Sequence, residues 1–318
     1  MDITVAICTY NRCRLLRNAL ESLEGVRIPA GLAWEVLVVD NGSTDETPSV
    51  VDEFADSLPL RRVEEPRGGV SHARNRSVQS ARGDTIIWID DDVELSPGWL
   101  EAYREAFERW PDAAFFGGPI RPLFTREPPG WLREGFSEVS EPFPTRELGD
   151  RPFEITEAEE LPTGGNYAVR AKAHRGRRYN AELGRSGTDL VGGEETELLR
   201  TLLREGHTGR WVPGAEVHHL IEPGQMNLGY VRRRYRGWGR YAEYERLREG
   251  EKVPLLWGRP RWAWRAAFEN EVKYRLFRPF VAPERWLSFL REASHAQGVL
   301  LGPPERSEER RDEAGVPP

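Results

Sequence analysis

The chain is poor in cysteine and methionine, with two of each among 318 residues. Cys8 and Cys13 have no histidine or further cysteine near them, which excludes a disulfide framework and a zinc site and leaves packed, reduced thiols. No apolar run approaches the ~20 residues that a membrane-spanning helix needs. No basic n-region or small-residue cleavage site precedes the apolar stretch from Ile3 to Cys8, so a cytoplasmic chain is expected. There is no Gly-x-x-x-x-Gly-Lys sequence, which counts against a P-loop ATPase. A formal net charge of -7 and the absence of any recognised nucleic-acid motif argue against a nucleic-acid partner.

What is present describes a folded protein with a highly charged surface: 38% hydrophobic residues, 31% charged residues and eleven tryptophans. The length suits one large α/β domain with an appendage. The net charge hides an asymmetry, because residues 228 to 291 carry 16 Lys and Arg against 7 Asp and Glu. The same stretch holds Trp238, Trp257, Trp262, Trp264 and Trp286. This shift sets a boundary near residue 225, giving a domain over 1–225, a basic, aromatic-rich helical extension over 226–302, and a flexible tail over 303–318 made of Pro, Glu, Arg and Asp. Interleaved cations and aromatic rings such as Tyr230, Arg232 to Arg234, Trp238, Tyr241 and Tyr244 suit either the anionic inner face of a membrane or simple packing on the main domain.

Apolar strands alternate with helical spacing along the first part of the chain. Ile3 to Cys8 reads as a buried strand, Leu15, Leu16, Ala19, Leu20 and Leu23 as one face of a helix ending at Gly25, and Val36 to Val39 as the next strand. The rhythm continues through Val50 to Ala55, Leu60 to Val63, Ala73 to Ala81, Thr85 to Ile89, a helix from Ser96 to Trp110 and a strand over Ala113 to Gly117. It predicts a mostly parallel, Rossmann-like sheet flanked by helices. Ligands of such sheets sit beyond the carboxyl ends of the strands. Thr9 to Arg12, Asp40 to Asp45 and Asp90 to Asp92 all follow strand ends, so one cleft can receive all three.

Asp90, Asp91 and Asp92 end an apolar strand, and like charges so close together suit a bound cation, although an acidic turn ahead of the next helix has the same sequence. Asp90 and Asp92 suit Mg2+ or Mn2+ bridging a diphosphate, since these ions use one or two carboxylates with phosphate oxygens. Asp40 can accept a hydrogen bond from the ring N–H of uracil, thymine or guanine, whereas adenine's ring nitrogens offer none. The same residue also fits an Asx-turn ahead of Gly42. Tyr10 can lie against a base. Gly164 and Gly165 let backbone approach a sugar or form a bulge. The segment 119–162, rich in proline, glycine and aromatics, is read as a lid or acceptor wall, with Trp131 as a platform for a sugar ring or as an anchor for its own loop.

Val5 to Arg12, Val38 to Asp45, Gly69-Val70-Ser71-His72-Ala73-Arg74-Asn75, Gly83-Asp84 through Asp92, Thr163 to Asn166, Gly192 to Leu198 and Val217-His218-His219 stand in an order that resembles the inverting, family-two glycosyltransferases of the GT-A fold. The resemblance covers about residues 1 to 235 and implies a nucleoside-diphosphate sugar of the UDP, dTDP or GDP type as donor, a hydroxyl acceptor on a sugar, glycolipid or other small molecule, and a divalent cation. It implies that Thr9 and Tyr10 line the nucleoside, with Asn11, Arg12, Asn41 and Asp91 among the nucleotide-binding positions. Asp40 would hold the base, Arg74 would approach the ribose or diphosphate, and Asp90 and Asp92 would form the metal pair, joined by His218 in preference to His219. Gly164, Gly165 and Asn166 would face donor sugar or acceptor. Glu195 would be the general base, with Glu194 as the alternative, because the commoner family form has Asp at the position of Glu195. A carboxylate there also follows from chemistry, since a sugar hydroxyl is a poor nucleophile and an inverting displacement needs a base across the anomeric carbon from the leaving group. The other reading of both glutamates is the acidic first turn of a helix over 196–205. A sugar-nucleotide-forming nucleotidyltransferase and a non-catalytic binding protein are the alternatives.

Overall fold

The computed structural model describes residues 1–184 and 192–304. In chain order the elements are β1 (Ile3–Thr9), α1 (Cys13–Glu24), β2 (Trp34–Asp40), α2 (Thr47–Glu53), β3 (Leu60–Glu64), α3 (Val70–Ser80), β4 (Thr85–Asp90), β5 (Val93–Leu95), α4 (Trp99–Arg109), β6 (Phe115–Gly117) and β7 (Ile120–Phe124). After α5 (Gly130–Glu134) come β8 (Glu154–Ile155), β9 (Asn166–Arg170), α6 (Ala171–His174), α7 (Glu194–Arg204), β10 (Gly209–Trp211) and β11 (Val217–Ile221). The chain then continues through α8 (Leu228–Arg248), β12 (Leu255–Leu256), β13 (Arg259–Pro260), α9 (Arg261–Phe277) and α10 (Pro283–Leu301).

Two compact units result. The first takes Met1–Glu127, Phe143–Tyr179 and Glu194–Glu222, the second Pro128–Pro142, Asn180–Gly193 and the chain from Pro223 on. The expected lid segment 119–162 is therefore shared between the units, and Asn180–Gly193 groups with the second. Of the expected tail, residues 305–318 lie outside the described residues.

The first unit is built on an eight-stranded sheet of order β3-β2-β1-β4-β9-β6-β10-β8. β1 lies in its interior, parallel to both β2 and β4, and apart from Cys8 all its residues are buried, as a continuous apolar run requires of a strand covered on both faces. The stripe Leu15, Leu16, Ala19, Leu20 and Leu23 of α1 is buried as its spacing predicts, and Gly25 ends the helix. Trp88 is buried on β4, and cutting it to alanine would cost about 3–5 kcal/mol through lost burial and the cavity left.

The sheet departs from an all-parallel rhythm at β9, which runs antiparallel between β4 and β6. Its register sets Asn166 opposite Ile89. The start of β9, with Gly164 and Gly165 just before it, thus lies beside the carboxyl end of β4, where Asp90 stands. A small second sheet, β5-β11-β7, forms where a helix start was expected: β5 pairs antiparallel with β11, and Ser96 N donates to Glu216 O at 3.1 Å. That pairing delays α4 to Trp99.

In the second unit α8 and α10 cross through glycine. A side-chain carbon on Gly239 would stand 2.0 Å from His295 O, and one on Gly298 would stand 2.2 Å from Arg236 O, so no larger residue fits either helix at this crossing. Trp286 of α10 is buried between Trp131 of α5 and Tyr274 of α9, with ring centroids 6.3 and 5.9 Å away. Among the described residues, no helix is long and apolar enough to cross a membrane.

Candidate active site

The end of β4 and the middle of β11 meet at a cluster of ionisable groups. Ligand atoms of Asp90, Asp92 and His219 all lie within 4.8 Å of one another. β11 is fastened to this point through its backbone, Leu220 N donating to Asp92 O at 2.8 Å. Period-two alternation then turns His219 inward, 1% exposed, and sends His218 to the other face, where its Nε2 lies 3.2 Å from Glu216. The expected metal-site histidine, His218, is therefore corrected to His219. The cause is strand length: β11 runs from Val217 to Ile221, so both histidines lie inside it and alternation decides between them.

His219 Nε2 stands 3.0 Å from Asp92 Oδ1, yet neither buried atom has a hydrogen-bond partner. A buried imidazole nitrogen and carboxylate oxygen this close, with Asp90 beside them, fit the donor set of a divalent cation. The other oxygen of Asp92 accepts from Arg12 Nη2 at 2.6 Å. Burial pushes the Asp92 carboxyl up, but the charges of His219 and Arg12 outweigh it and hold Asp92 below the ordinary carboxylate range.

Asp91, between the two metal-facing acids, turns the opposite way. It is 3% exposed, and its oxygens accept from Thr9 Oγ1 at 2.7 Å and Arg12 Nη1 at 2.5 Å. Burial pushes its carboxyl up to about 7, with Arg12 acting against that rise. Three residues expected at the nucleotide make internal contacts here: Thr9 is 3% exposed and its hydroxyl donates to Asp91, Asp91 is buried, and Arg12 holds Asp91 and Asp92 together from the loop after β1.

The loop after β2 is tied by its own side chains. Asp40, buried at the strand end, accepts from Ser43 N at 2.8 Å, which is the Asx-turn reading, and from Arg62 Nη1 at 3.0 Å. Asn41 donates to Glu65 O and Arg67 O and accepts from Gly69 N, so it ties the loop after β2 to the loop after β3. Asn11, with φ of 52°, joins the first loop to this one: its backbone N donates to Ser43 Oγ and its side chain accepts from Thr44 N. Tyr10 is exposed at the rim, available for stacking.

A second carboxylate cluster stands at the start of α7. Arg74 of α3, its side chain 6% exposed, places Nη1 2.5 Å from Glu194 and 3.2 Å from Glu195. It lies over the rings of Tyr167 and Tyr179, 5.6 and 5.8 Å from their centroids. Tyr179 carries the contact on toward His174, 3.4 Å away. Arg74, expected near the ribose or diphosphate, is the ion partner of the two glutamates in this structure. Of that pair Glu194 is the more buried, and Glu195 keeps the more accessible side chain, 14% against 5%. Glu195 also accepts from Gly164 N at 3.2 Å.

Gly164 and Gly165 join the two clusters. A side chain at Gly164 would strike Arg74 and crowd Glu195, and one at Gly165, whose φ is 104°, would stand 3.1 Å from Asp90 Oδ2. The close approach expected of these glycines is therefore to protein carboxylates. Asn166, expected at the sugar, is fully buried and saturated: it accepts from Trp99 Nε1 and Tyr103 Oη and donates to Pro119 O and Ala215 O. Trp131 is placed in the second unit against Trp286, the anchoring reading of that residue. Sequence reasoning ranked His219 below His218, and the signal for the reverse order is the i, i+2, i+4 apolar frame of Val217 and Ile221 around His219. It missed Tyr167 and Tyr179 behind Arg74, which no local pattern announces.

Comparison with known proteins places this geometry. Residues 4–158 match the family model described as Glycosyl transferase family 2. The succinoglycan biosynthesis protein ExoM of Rhizobium meliloti (strain 1021) is 28% identical over 245 residues, covering 74% of this chain and 72% of that protein. The two relatives that follow it are covered over only 27% and 40% of their own length. Among solved structures, the mannosyltransferase PcManGT from Pyrobaculum calidifontis, in complex with GDP-Man and Mn2+, is similar with a TM-score of 0.55 and 18% identity, over 99% of this chain and 76% of that one. S. aureus TarS 1-349 in complex with UDP gives a TM-score of 0.53 at 16% identity, over 93% of this chain and 90% of that one. At such identities the likeness is one of fold, and that fold is GT-A. Residues 4–158 of this chain thus match glycosyl transferase family 2, and the relatives and the fold agree with that match.

Proposed function

We propose that this glycosyltransferase moves a sugar from a nucleoside-diphosphate donor to an acceptor hydroxyl in one inverting step during glycan or glycoconjugate synthesis. The observation that carries the reading is the Gly164-Gly165 pair, which touches Glu195 on one side and Asp90 on the other, so that a base and a cation site flank one point. Asp90, Asp92 and His219 would hold Mg2+ or Mn2+, and the imidazole favours Mn2+. Such an ion would offset the negative charge that develops on a leaving diphosphate.

The chain's own residues do the rest. Glu195 takes the acceptor hydroxyl proton on a carboxylate oxygen, since it is the more accessible of the two glutamates. Arg74 and Gly164 N fix its orientation. Glu194 balances the charge of Arg74. Arg12 sets the rotamer of Asp92 by holding one oxygen and leaving the other for the cation. Asp40 accepts the ring N–H of uracil, thymine or guanine through lone pairs left by Ser43 and Arg62, with Tyr10 against the base.

Calorimetric titration with UDP, dTDP, GDP and ADP, each with and without Mn2+, tests the donor side. Tighter binding of UDP, dTDP or GDP than of ADP, strengthened by Mn2+, is expected. Equal affinity for all four would remove the role given to Asp40, and indifference to Mn2+ would remove the cation.

A further inference from the structure

The basic, tryptophan-rich region splits into two kinds of surface. The cations of α8 are spent within the unit: Arg232 pairs with Glu271 at 2.8 Å, Arg246 with Glu243 at 2.7 Å, and Arg236 bonds Gln297 at 2.7 Å. The β12–β13 hairpin and α9 differ. Trp257 at the hairpin tip is 80% exposed, Phe268 on α9 is 73% exposed, and Phe280 just past its end is 83% exposed. On α9 four exposed apolar residues fall at steps of four, Trp264, Phe268, Val272 and Leu276, away from buried Ala263, Ala267 and Tyr274, and Trp262 and Phe277 are exposed at the helix ends. Trp257 meets Trp264 edge to face with centroids 5.4 Å apart, and Trp264 Nε1 donates to Leu256 O at 3.0 Å, so hairpin and helix share one apolar ridge. A contiguous exposed ridge of this size marks an interaction surface.

Charge selects the occupant. Between Arg261 and Phe280 the chain carries five Lys and Arg against two Glu; Arg261, Arg265, Lys273 and Arg275 are exposed along the ridge, Arg265 pairing with Glu269 and Arg275 with Glu271, so the stretch keeps a net positive charge. A second copy docked ridge to ridge would bring these like charges together. Residues 303–318 have no leucine, isoleucine or aromatic residue with which to cover it. An apolar stripe with aromatic rings and a cationic border is complementary to an anionic bilayer surface, where rings enter the boundary between headgroups and acyl chains and cations meet lipid phosphates.

We propose that the ridge formed by the β12–β13 hairpin and α9 is a docking surface for an anionic lipid bilayer, seated through Trp257, Trp264, Phe268, Leu276 and Phe280. This replaces α8, with its internally paired arginines, as the element of the basic region that meets lipid, and it does not depend on which sugar is transferred.

The test is co-sedimentation of the full chain with vesicles of phosphatidylcholine alone or mixed with phosphatidylglycerol, without nucleotide or acceptor, so that the result stands apart from any failure of the catalytic reading. Recovery with the mixed vesicles, little with phosphatidylcholine, and a decline with rising salt are expected. The combined change Phe268→Ser, Leu276→Ser and Phe280→Ser is expected to lower partitioning by roughly tenfold or more, and Arg265→Glu with Lys273→Glu to abolish the preference for anionic lipid. Circular dichroism and Mn2+ binding, unchanged in both variants, would show that they fold. Equal recovery from both kinds of vesicle, or none from either, overturns the proposal. So does a wild-type dimer that binds no vesicles and is split by the same serine substitutions, which would assign the ridge to a second copy of the chain.

Discussion

The two carboxylate clusters of the first unit handle buried negative charge in opposite ways. At the start of α7, Arg74 brings the counter-charge from inside the protein, backed by Tyr167 and Tyr179. At the end of β4, Arg12 neutralises Asp91 and one oxygen of Asp92, then leaves Asp92 Oδ1 facing His219 Nε2 with no hydrogen bond between them. The difference teaches where an external charge is required. A carboxylate meant to act as a base needs an internal partner that keeps it ionised, whereas one meant to hold a cation must keep an oxygen in reserve.

The largest effect that would break this comparison falls on the reserved oxygen. Asp92→Asn is expected to lower donor cleavage by roughly three orders of magnitude while leaving the fold intact, measured as released nucleoside diphosphate in Mn2+. The internal partner comes next. Arg74→Met strands Glu194 and Glu195 without their cation and is expected to destabilise the first unit by about 3–5 kcal/mol in urea unfolding. A loss below about 1 kcal/mol would mean that the glutamates do not depend on it. Third, His219→Ala should weaken Mn2+ binding by roughly 10–100-fold, whereas His218→Ala should change it by less than about twofold, read by Mn2+ electron paramagnetic resonance. Equal effects would restore the choice between the two histidines.

The smallest effect lies behind the base cluster. Burial pushes the His174 imidazole down to about 4, with Arg177 adding to the shift, so the folded chain keeps it neutral while the unfolded chain protonates it near its ordinary value. Its contribution to stability is present above pH ~6.5 and is lost as pH falls toward 4, amounting to about 2 kcal/mol between pH 7 and 5. Urea unfolding at those two pH values should show the difference, and His174→Gln should reduce it; an identical pH dependence in the variant would contradict the assignment.

Strand ends were legible in the sequence because β1, β2 and β4 are buried and read as apolar runs, closed by polar residues after β1 and by acids in β2 and β4. The reversal of β9 was not legible, since Asn166–Arg170 has nothing in its composition to set its direction. The same limit applies to side chains expected at the ligand that tie the protein together instead of standing unpaired. Thr9, Asn41, Asp91 and Asn166 are polar residues at strand ends, where nucleotide contacts and loop ties use the same side chains, and only the partners that saturate them separate the two. Arg74 was found as a site residue but not as an ion partner, because Glu194 lies 120 positions away in the chain. The basic, aromatic-rich character of residues 226–302 was readable from composition, but the internal pairing within α8 and the exposed apolar residues of α9 follow only from packing.

The central claim is that Glu195 removes the acceptor proton beside a cation held by Asp90, Asp92 and His219. Released nucleoside diphosphate, measured across a panel of sugar nucleotides with and without Mn2+ for wild type, Glu195→Gln and Glu194→Gln, tests it directly. The account predicts Mn2+-dependent release from one class of donor, a loss of roughly 10²–10⁴-fold in Glu195→Gln with Mn2+ and nucleotide binding retained, and a smaller loss in Glu194→Gln. Release that needs no metal, or that survives both glutamate substitutions unchanged, would contradict it.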